Sequence, residues 1–228
     1  MTHSAWPSTV WQIYSWDHET FGAYFGASKA CEPIHIQMNL DDKKIVIVNT
    51  SLKLVEKAVA KLVIYDLNGR EVFKKETRCD VPINSLTAVF SGDIPPLTNG
   101  SYLFRLSLED NNGKLISENE YWNNAQGTKN FTAFNNLDQV ELKVEYKPLS
   151  SKQTITVTNP SAVMAVAVKL NVTNAKTQEI ILPAYFSDGY FNLLPGETKK
   201  ITVDVPLDVM PEHVGFTASG YNIGQSGR

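Results

Sequence analysis

Long apolar runs, cysteine and histidine are all scarce in this chain of 228 residues, and neither sign of charge dominates it. Each scarcity excludes something. Cys31 and Cys79 are too few for a disulfide framework, and their spacing alone does not pair them. No stretch approaches the roughly 20 apolar residues of a membrane span, and no basic segment followed by an apolar run opens the chain. No membrane role is expected. With 21 Lys+Arg against 24 Asp+Glu, a net charge of -3 and no block of either sign, nothing steers the chain to nucleic acid. The four histidines, His3, His18, His35 and His213, are scattered rather than set at ligand spacing, so no metal is expected. His35 alternates with Ile34 and Ile36 as an outward strand residue would. A nucleophile elbow, a phosphate-binding glycine loop and a Cys/His dyad are all missing, so neither a catalytic residue nor a cofactor is expected. Tryptophan is distributed unevenly. Trp6, Trp11 and Trp16 crowd the start, and the next is Trp122, a density that suits either a carbohydrate site or a dense core.

What the chain does have is strand pattern. Its hydrophobic content of 43% can fill the cores of two domains of about 100 residues each. From Ile34 onward polarity alternates with period two. "AVAKLVIYDLNGREVFKKE" and "GSYLFRLSLEDNNGKLISENEYW" each place an Asn-Gly pair, Asn68-Gly69 and Asn112-Gly113, between two alternating runs. Such pairs supply the positive φ of a tight hairpin. Turn signals every eight to twelve residues point to antiparallel sandwiches. Four Asn-x-Ser/Thr triplets, at Asn49, Asn99, Asn130 and Asn171, fall in strand-end or turn sequence where these residues are expected anyway, and are read as unglycosylated.

The two halves resemble each other. "IVIVNTS" (45–51) aligns with "ITVTNPS" (155–161), and "AVAKLVIYDLNGRE" (58–71) with "VAVKLNVTNAKTQE" (166–179), which matches Lys61 with Lys169 and Glu71 with Glu179. Any strand ended by Asn and Ser would share part of this likeness. The fold class expected is all-β, two tandem immunoglobulin-like antiparallel β-sandwiches at residues 34–122 and 137–228. Between them, 123–136 lacks a long apolar face and reads as a linker. Residues 1–33 belong to neither half. Within them "TFGAYFGASKACEP" reads as a short helix with Tyr24, Ala27 and Cys31 on one face, stopped by Pro33.

This opening segment carries a resemblance. "AWPSTVWQIYSWDHETFGAYFGASKACEP", residues 5–33, is similar to the end of the catalytic barrel in glycoside hydrolase family 2, above all its exo-β-D-glucosaminidase branch and the related β-mannosidases. The Trp-Pro-Ser element, the Gly-Ala-Tyr-Phe-Gly helix and the Lys-Ala-Cys-Glu-Pro run fall in order. "YFSDGYFNLLPGE" (185–197) looks like an element of the last sandwich in that family. The resemblance implies that residues 1–33 are a helical remnant of a (β/α)₈ barrel and that the sandwiches support it. It further implies a parent acting on β-linked glucosamine or mannose in the periplasm or outside the cell. Retaining hydrolysis needs two carboxylates about 5 to 5.5 Å apart on a barrel of roughly 250 residues. Only about thirty barrel-like residues are present, so the pair is expected elsewhere, and Glu19 and Glu32 are read as structural.

The same resemblance gives three candidate sugar-binding residues. Trp6 follows from a barrel strand's carboxyl end, the face where barrel sites assemble, and its indole would pack against a pyranose. Trp11 and Trp16 are read as packing. Asp188 and Tyr190, in the loop "SDGYFN", combine a carboxylate, the hinge Gly189 and an aromatic plate. The duller reading of this loop is a hairpin tip with a packed tyrosine. The partners implied are the upstream barrel and, through it, a carbohydrate. An alternative of a different class is an autonomous carbohydrate-binding or adhesion module.

Overall fold

The structure is a computed structural model that describes residues 13–90, 94–98, 100–124, 130–146, 152–205 and 214–224. Two compact units share the chain: Ser28–Asn136, and Leu137–Arg228 together with Met1–Ala27. The division falls inside the single described α-helix, α1 (Gly22–Ala30).

In Ser28–Asn136 seven strands form two antiparallel sheets. They are β1 (Ile34–Met38), β2 (Ile45–Asn49), β3 (Val55–Tyr65), β4 (Glu71–Val81), β5 (Ser85–Phe90), β6 (Ser101–Glu109) and β7 (Leu115–Asn124). One sheet has the order β1-β2-β5 and the other β4-β3-β6-β7. Alternation puts Ile36, Ile45, Ile47, Leu62, Ile64, Leu106 and Leu108 into one core, each at most 2% exposed. Each such aliphatic contributes about 1.5 to 3 kcal/mol by leaving water. Both Asn-Gly hairpins form as the sequence reads. Gly69 and Gly113 take φ values of 76° and 78°, and each donates its N–H to the carbonyl of the aspartate three residues before it.

The edges of the two sheets meet at β1 and β7, and side chains join them. Ser117 Oγ accepts the Ile36 N–H at 3.2 Å, the Tyr121 hydroxyl accepts the Met38 N–H at 3.2 Å, and Asn119 Nδ2 donates to Ile36 O at 3.4 Å. Period two on β7 brings Ser117, Asn119 and Tyr121 to one side of the strand. Burial pushes the Tyr121 phenol above its ordinary range, against the opposing effect of the hydrogen bonds from Met38 and Asn119.

The outer face of the larger sheet is also covered. Leu103, in register with Tyr65 and Trp122, is fully buried, and Trp122 packs edge-to-face on Phe134 at 4.7 Å between centroids. Phe134 lies on a 3₁₀ helix, Thr132–Asn136, so part of the stretch read as a linker folds onto this unit.

The other unit repeats the plan with β8 (Lys143–Tyr146), β9 (Lys152–Thr158), β10 (Ala165–Asn174), β11 (Tyr185–Phe186), β12 (Phe191–Leu193), β13 (Thr198–Asp204) and β14 (Val214–Ser219). Its sheets run β11-β13-β9-β8 and β12-β10-β14 around Ile155, Val157, Val168, Leu170, Leu193 and Ile201. Residues 13–27, which the sequence assigns to neither half, group with this unit.

The repeat is real in geometry, with one change of register. Asn49 and Asn159, at 1% and 0% exposure, end β2 and follow β9 with the same network. Asn49 Nδ2 donates to Lys53 O and Pro82 O, both at 2.8 Å, while its Oδ1 accepts from the N–H and hydroxyl of Ser51. Asn159 Nδ2 donates to Val163 O, Leu193 O and Leu194 O, and its Oδ1 accepts the same pair from Ser161. A bulge follows in each, with Lys57 and Ala167 both at φ 53°. All three pairs lie 110 positions apart, so Lys61 corresponds to Asn171, and the sequence match of Lys61 to Lys169 is two residues out of register. The Asn49 triplet is thus a buried corner.

Candidate functional site

The residues of interest converge in the unit that holds residues 13–27. This segment starts as a turn. Tyr14 bridges Thr20, Ser15 N–H donates to Glu19 O at 2.9 Å, and the Ser15 hydroxyl donates to the Asp17 carboxylate. The Ser15 hydroxyl, with the Glu19 N–H in support, holds the Asp17 carboxyl below its usual range against the opposing effect of desolvation. Glu19 then pairs with Lys169 of β10, and Thr20 is buried.

Helix α1 follows, and its buried residue is Phe25. Sequence spacing sets Tyr24, Ala27 and Cys31 on one face, and that is not the buried one, since Ala27 and Cys31 are exposed. The reason lies far along the chain. The Phe25 ring occupies the space above Gly189, where a Cβ would come within 2.6 Å and 2.7 Å of Cε2 and Cζ. Tyr190, with φ 59°, sets its ring 6.2 Å from that of Phe25 and faces Gly22.

The "SDGYFN" loop is therefore a built structure. Asp188 Oδ2 pairs with Lys199 Nζ at 2.9 Å, with the Asp188 side chain 12% exposed, and Asp188 Oδ1 accepts the Gly189 N–H at 2.9 Å. Lys199 Nζ also stands 5.1 Å from the Phe191 ring centroid. Ser187 exchanges hydrogen bonds with Thr202 on β13. Asp188 is committed to the protein, whereas Tyr190 keeps 36% of its surface open. Between loop and segment lies a small pocket bordered by Glu19, Phe25, Lys169, Asn171, Leu182 and Asp188.

The other predicted residues distribute as follows. Trp6, Trp11, His3, His213 and Asn99 lie outside the described residues. Trp16 is 54% exposed, so the packing expected of it is not made by the described residues. His35 points away from Ile36 and Met38, as alternation requires, yet is only 4% exposed. Its Nδ1 stands 3.5 Å from Glu32 Oε2 and its Nε2 stands 3.4 Å from Asn119 Nδ2. Glu32 also accepts the Ser117 hydroxyl at 2.6 Å, so that hydroxyl is turned to a carboxylate and not to an imidazole. Glu19 and Glu32 hold structure, as expected of them. Among the described residues no three His, Cys, Asp or Glu gather as metal ligands would, and Cys31 and Cys79 are both free thiols. The sequence reading takes Gly189 only as a hinge and Lys169 only as a match within the repeat, and it misses Lys199. Their only signal is a glycine beside two aromatics, which does not name its distant partner.

Two family models match in tandem. Residues 41–125 match a mannosidase Ig/CBM-like domain, and 119–223 match the exo-β-D-glucosaminidase Ig-fold domain. Among curated proteins the chain is 27% identical to the exo-β-D-glucosaminidase of Amycolatopsis orientalis, over 98% of this chain and 24% of that one. It is 28% identical to the enzyme of the same name from Hypocrea jecorina, over 100% and 27%. The chain thus spans about a quarter of the length of these relatives. Among solved structures, the exo-chitosanase of Amycolatopsis orientalis superposes with a TM-score of 0.84 at 25% identity, covering 99% of this chain and 30% of that one.

Proposed function

Because the chain carries the immunoglobulin-like domains of glycoside hydrolase family 2, of its exo-β-D-glucosaminidase and mannosidase group, we propose that it is a non-catalytic support module of such an enzyme. In this reading the tandem sandwiches hold a catalytic barrel contributed by further polypeptide, and that barrel removes terminal β-linked glucosamine or mannose. The observation that carries the reading is the pairing of the carboxylates nearest the barrel-like segment. Glu19 is held by Lys169, Glu32 by Ser117 and Asp188 by Lys199, where a retaining site needs two carboxylates facing one sugar.

The sugar-contacting residues are part of the same proposal. Trp6 would wall the sugar site from the barrel side, by resemblance. Tyr190 is the loop residue with open ring surface, and an aromatic plate of this kind packs against the C–H face of a pyranose. Asp188 would act through Tyr190, fixing the loop by its bond to Lys199, rather than by touching sugar.

The test is a titration of the chain with chitosan and manno-oligosaccharides, read by heat and tryptophan fluorescence, beside an assay for release of terminal sugar. A support module shows neither saturable binding nor hydrolysis. Saturable binding in the micromolar range would replace it with an autonomous glycan-binding module, and sugar release would overturn it outright.

A further inference from the structure

The two sandwiches differ at one edge. In Ser28–Asn136, β4 pairs with β3 along its whole length, from Val55 opposite Val81 to Tyr65 opposite Glu71. In the other unit the corresponding side of β10 has β12 opposite Ala165 and Val168, then an isolated bridge from Thr173 to Ile180. Among the described residues no named strand pairs with Lys169–Asn171 on that side, and Val172 O accepts the Ile181 N–H at 2.8 Å. What occupies the space comes from far away in sequence: Glu19 on Lys169, buried Thr20, and Phe25 over Gly189. An acidic residue and an aromatic six positions on thus take two seats on a sandwich more than 140 residues away.

We propose that residues 19–25 are a strap of the second sandwich, docked in cis where its strand is interrupted, and that Gly189 is the residue that admits it. A side chain at position 189 would meet the ring of Phe25, so the ring or the loop would have to shift. The bare Cα is therefore a requirement of docking at a position where φ makes no demand for glycine. The ion pair at the other end fixes which way the strap lies. Charge partners in a partly buried setting select one arrangement more than they add stability. The strap rests on contacts within one unit, so it stands or falls independently of any sugar site.

Hydrogen exchange by mass spectrometry on the intact chain tests it, because local opening is read segment by segment. Gly189→Ala is expected to speed exchange about tenfold or more in peptides covering residues 19–25 and 180–186, while peptides of 45–65 keep wild-type protection. Phe25→Ala should do the same. Phe25→Leu combined with Gly189→Ala, in which the smaller side chain leaves room for the new methyl, should regain protection relative to Gly189→Ala alone. Reversing the ion pair gives an independent check: Lys169→Glu should loosen the strap, and Glu19→Lys with Lys169→Glu should restore it. Protection of 19–25 unchanged in Gly189→Ala overturns the proposal. So does a double variant no better protected than the single ones, since the seat would then not be reading size or charge.

Discussion

Replacing Asn159 by alanine should cost this protein about 3 to 4 kcal/mol, a large share of the stability of a small domain. The amide makes two kinds of bond at once. Its two N–H protons serve Val163 O at 2.8 Å, Leu193 O at 3.1 Å and Leu194 O at 3.2 Å, and its oxygen accepts the Ser161 N–H and hydroxyl. Counting two donor and two acceptor bonds at about 1 kcal/mol each gives about 4 kcal/mol, and Ser161 recovers part of this because its hydroxyl already reaches Val163 O at 2.9 Å. Aspartate should be worse than alanine at neutral pH, because a carboxylate oxygen would face the carbonyls that Nδ2 now serves. Asn49→Ala should behave alike but cost somewhat less, since its Lys53 and Pro82 acceptors lie closer to solvent. The assay is urea denaturation of the six proteins formed by wild type, the two alanine variants, the two aspartate variants and the double alanine variant. Exchange mass spectrometry would confirm that each change loosens only its own unit. A loss below about 1 kcal/mol at Asn159, or aspartate tolerated as well as alanine, would refute the claim that this corner organises the sandwich.

Two further outcomes follow from the same contacts. Tyr121→Phe removes the acceptor of the Met38 N–H and should cost about 1 to 2 kcal/mol in urea melts near pH 8. Because burial raises the phenol above its ordinary 10.0, the native state favours the protonated form, and that stability is present below the unfolded pKa and fades as pH climbs through the folded one. The difference between wild type and Tyr121→Phe should therefore narrow as pH rises above the ordinary phenol value of 10.0, and a constant difference would show the ring is not desolvated. Alkylation should mark exposed Cys31 well before Cys79, whose thiol is pushed up by burial and then by the charge of Asp80. Equal rates at the two sites would mean that the β4 edge opens freely.

Much of the architecture could be read from the chain because the relevant physics is local. Asn68-Gly69 and Asn112-Gly113 specify their turns within four residues, and alternation in β3 and in the second half of β6 separates core from surface without outside help. The repeat was visible at Asn49-Thr-Ser and Asn159-Pro-Ser, but the register of the following strands was not. Both units carry the bulge at the same spacing, but a slip of two residues leaves period-two alternation unchanged, so two lysines aligned more readily than the residues that correspond in space. Helix α1 forms where the sequence reads it, but its buried residue is set by a tertiary partner. In nine residues with aromatics on several sides, the inner face is chosen by the partner, and the space over Gly189 is the one the Phe25 ring fills. The packing of Phe134 on Trp122 is likewise a tertiary choice made by a stretch whose composition suggests a linker. At the candidate site, the loop containing Asp188 and Tyr190 was found from residue type, whereas Lys199, which commits Asp188 to the scaffold, lay on a strand with no signal of its own.

The joining of β1 to β7 by side chains bears on how this sandwich survives at high concentration. A β-sandwich has four exposed strand edges through which copies can recruit one another into fibrils. Here two of the four face each other and are occupied by Ser117, Asn119 and Tyr121, which leaves β4 and β5 as the edges open to a stranger. The longer of these, β4, carries Lys74, Glu76, Arg78 and Asp80 along its outward face, charges that a second copy stacked parallel and in register would have to set against their own kind. Protection against self-recruitment is thus divided between polar links on one flank and alternating charge on the other. A variant that neutralises β4 would leave the fold intact and put its solubility at risk.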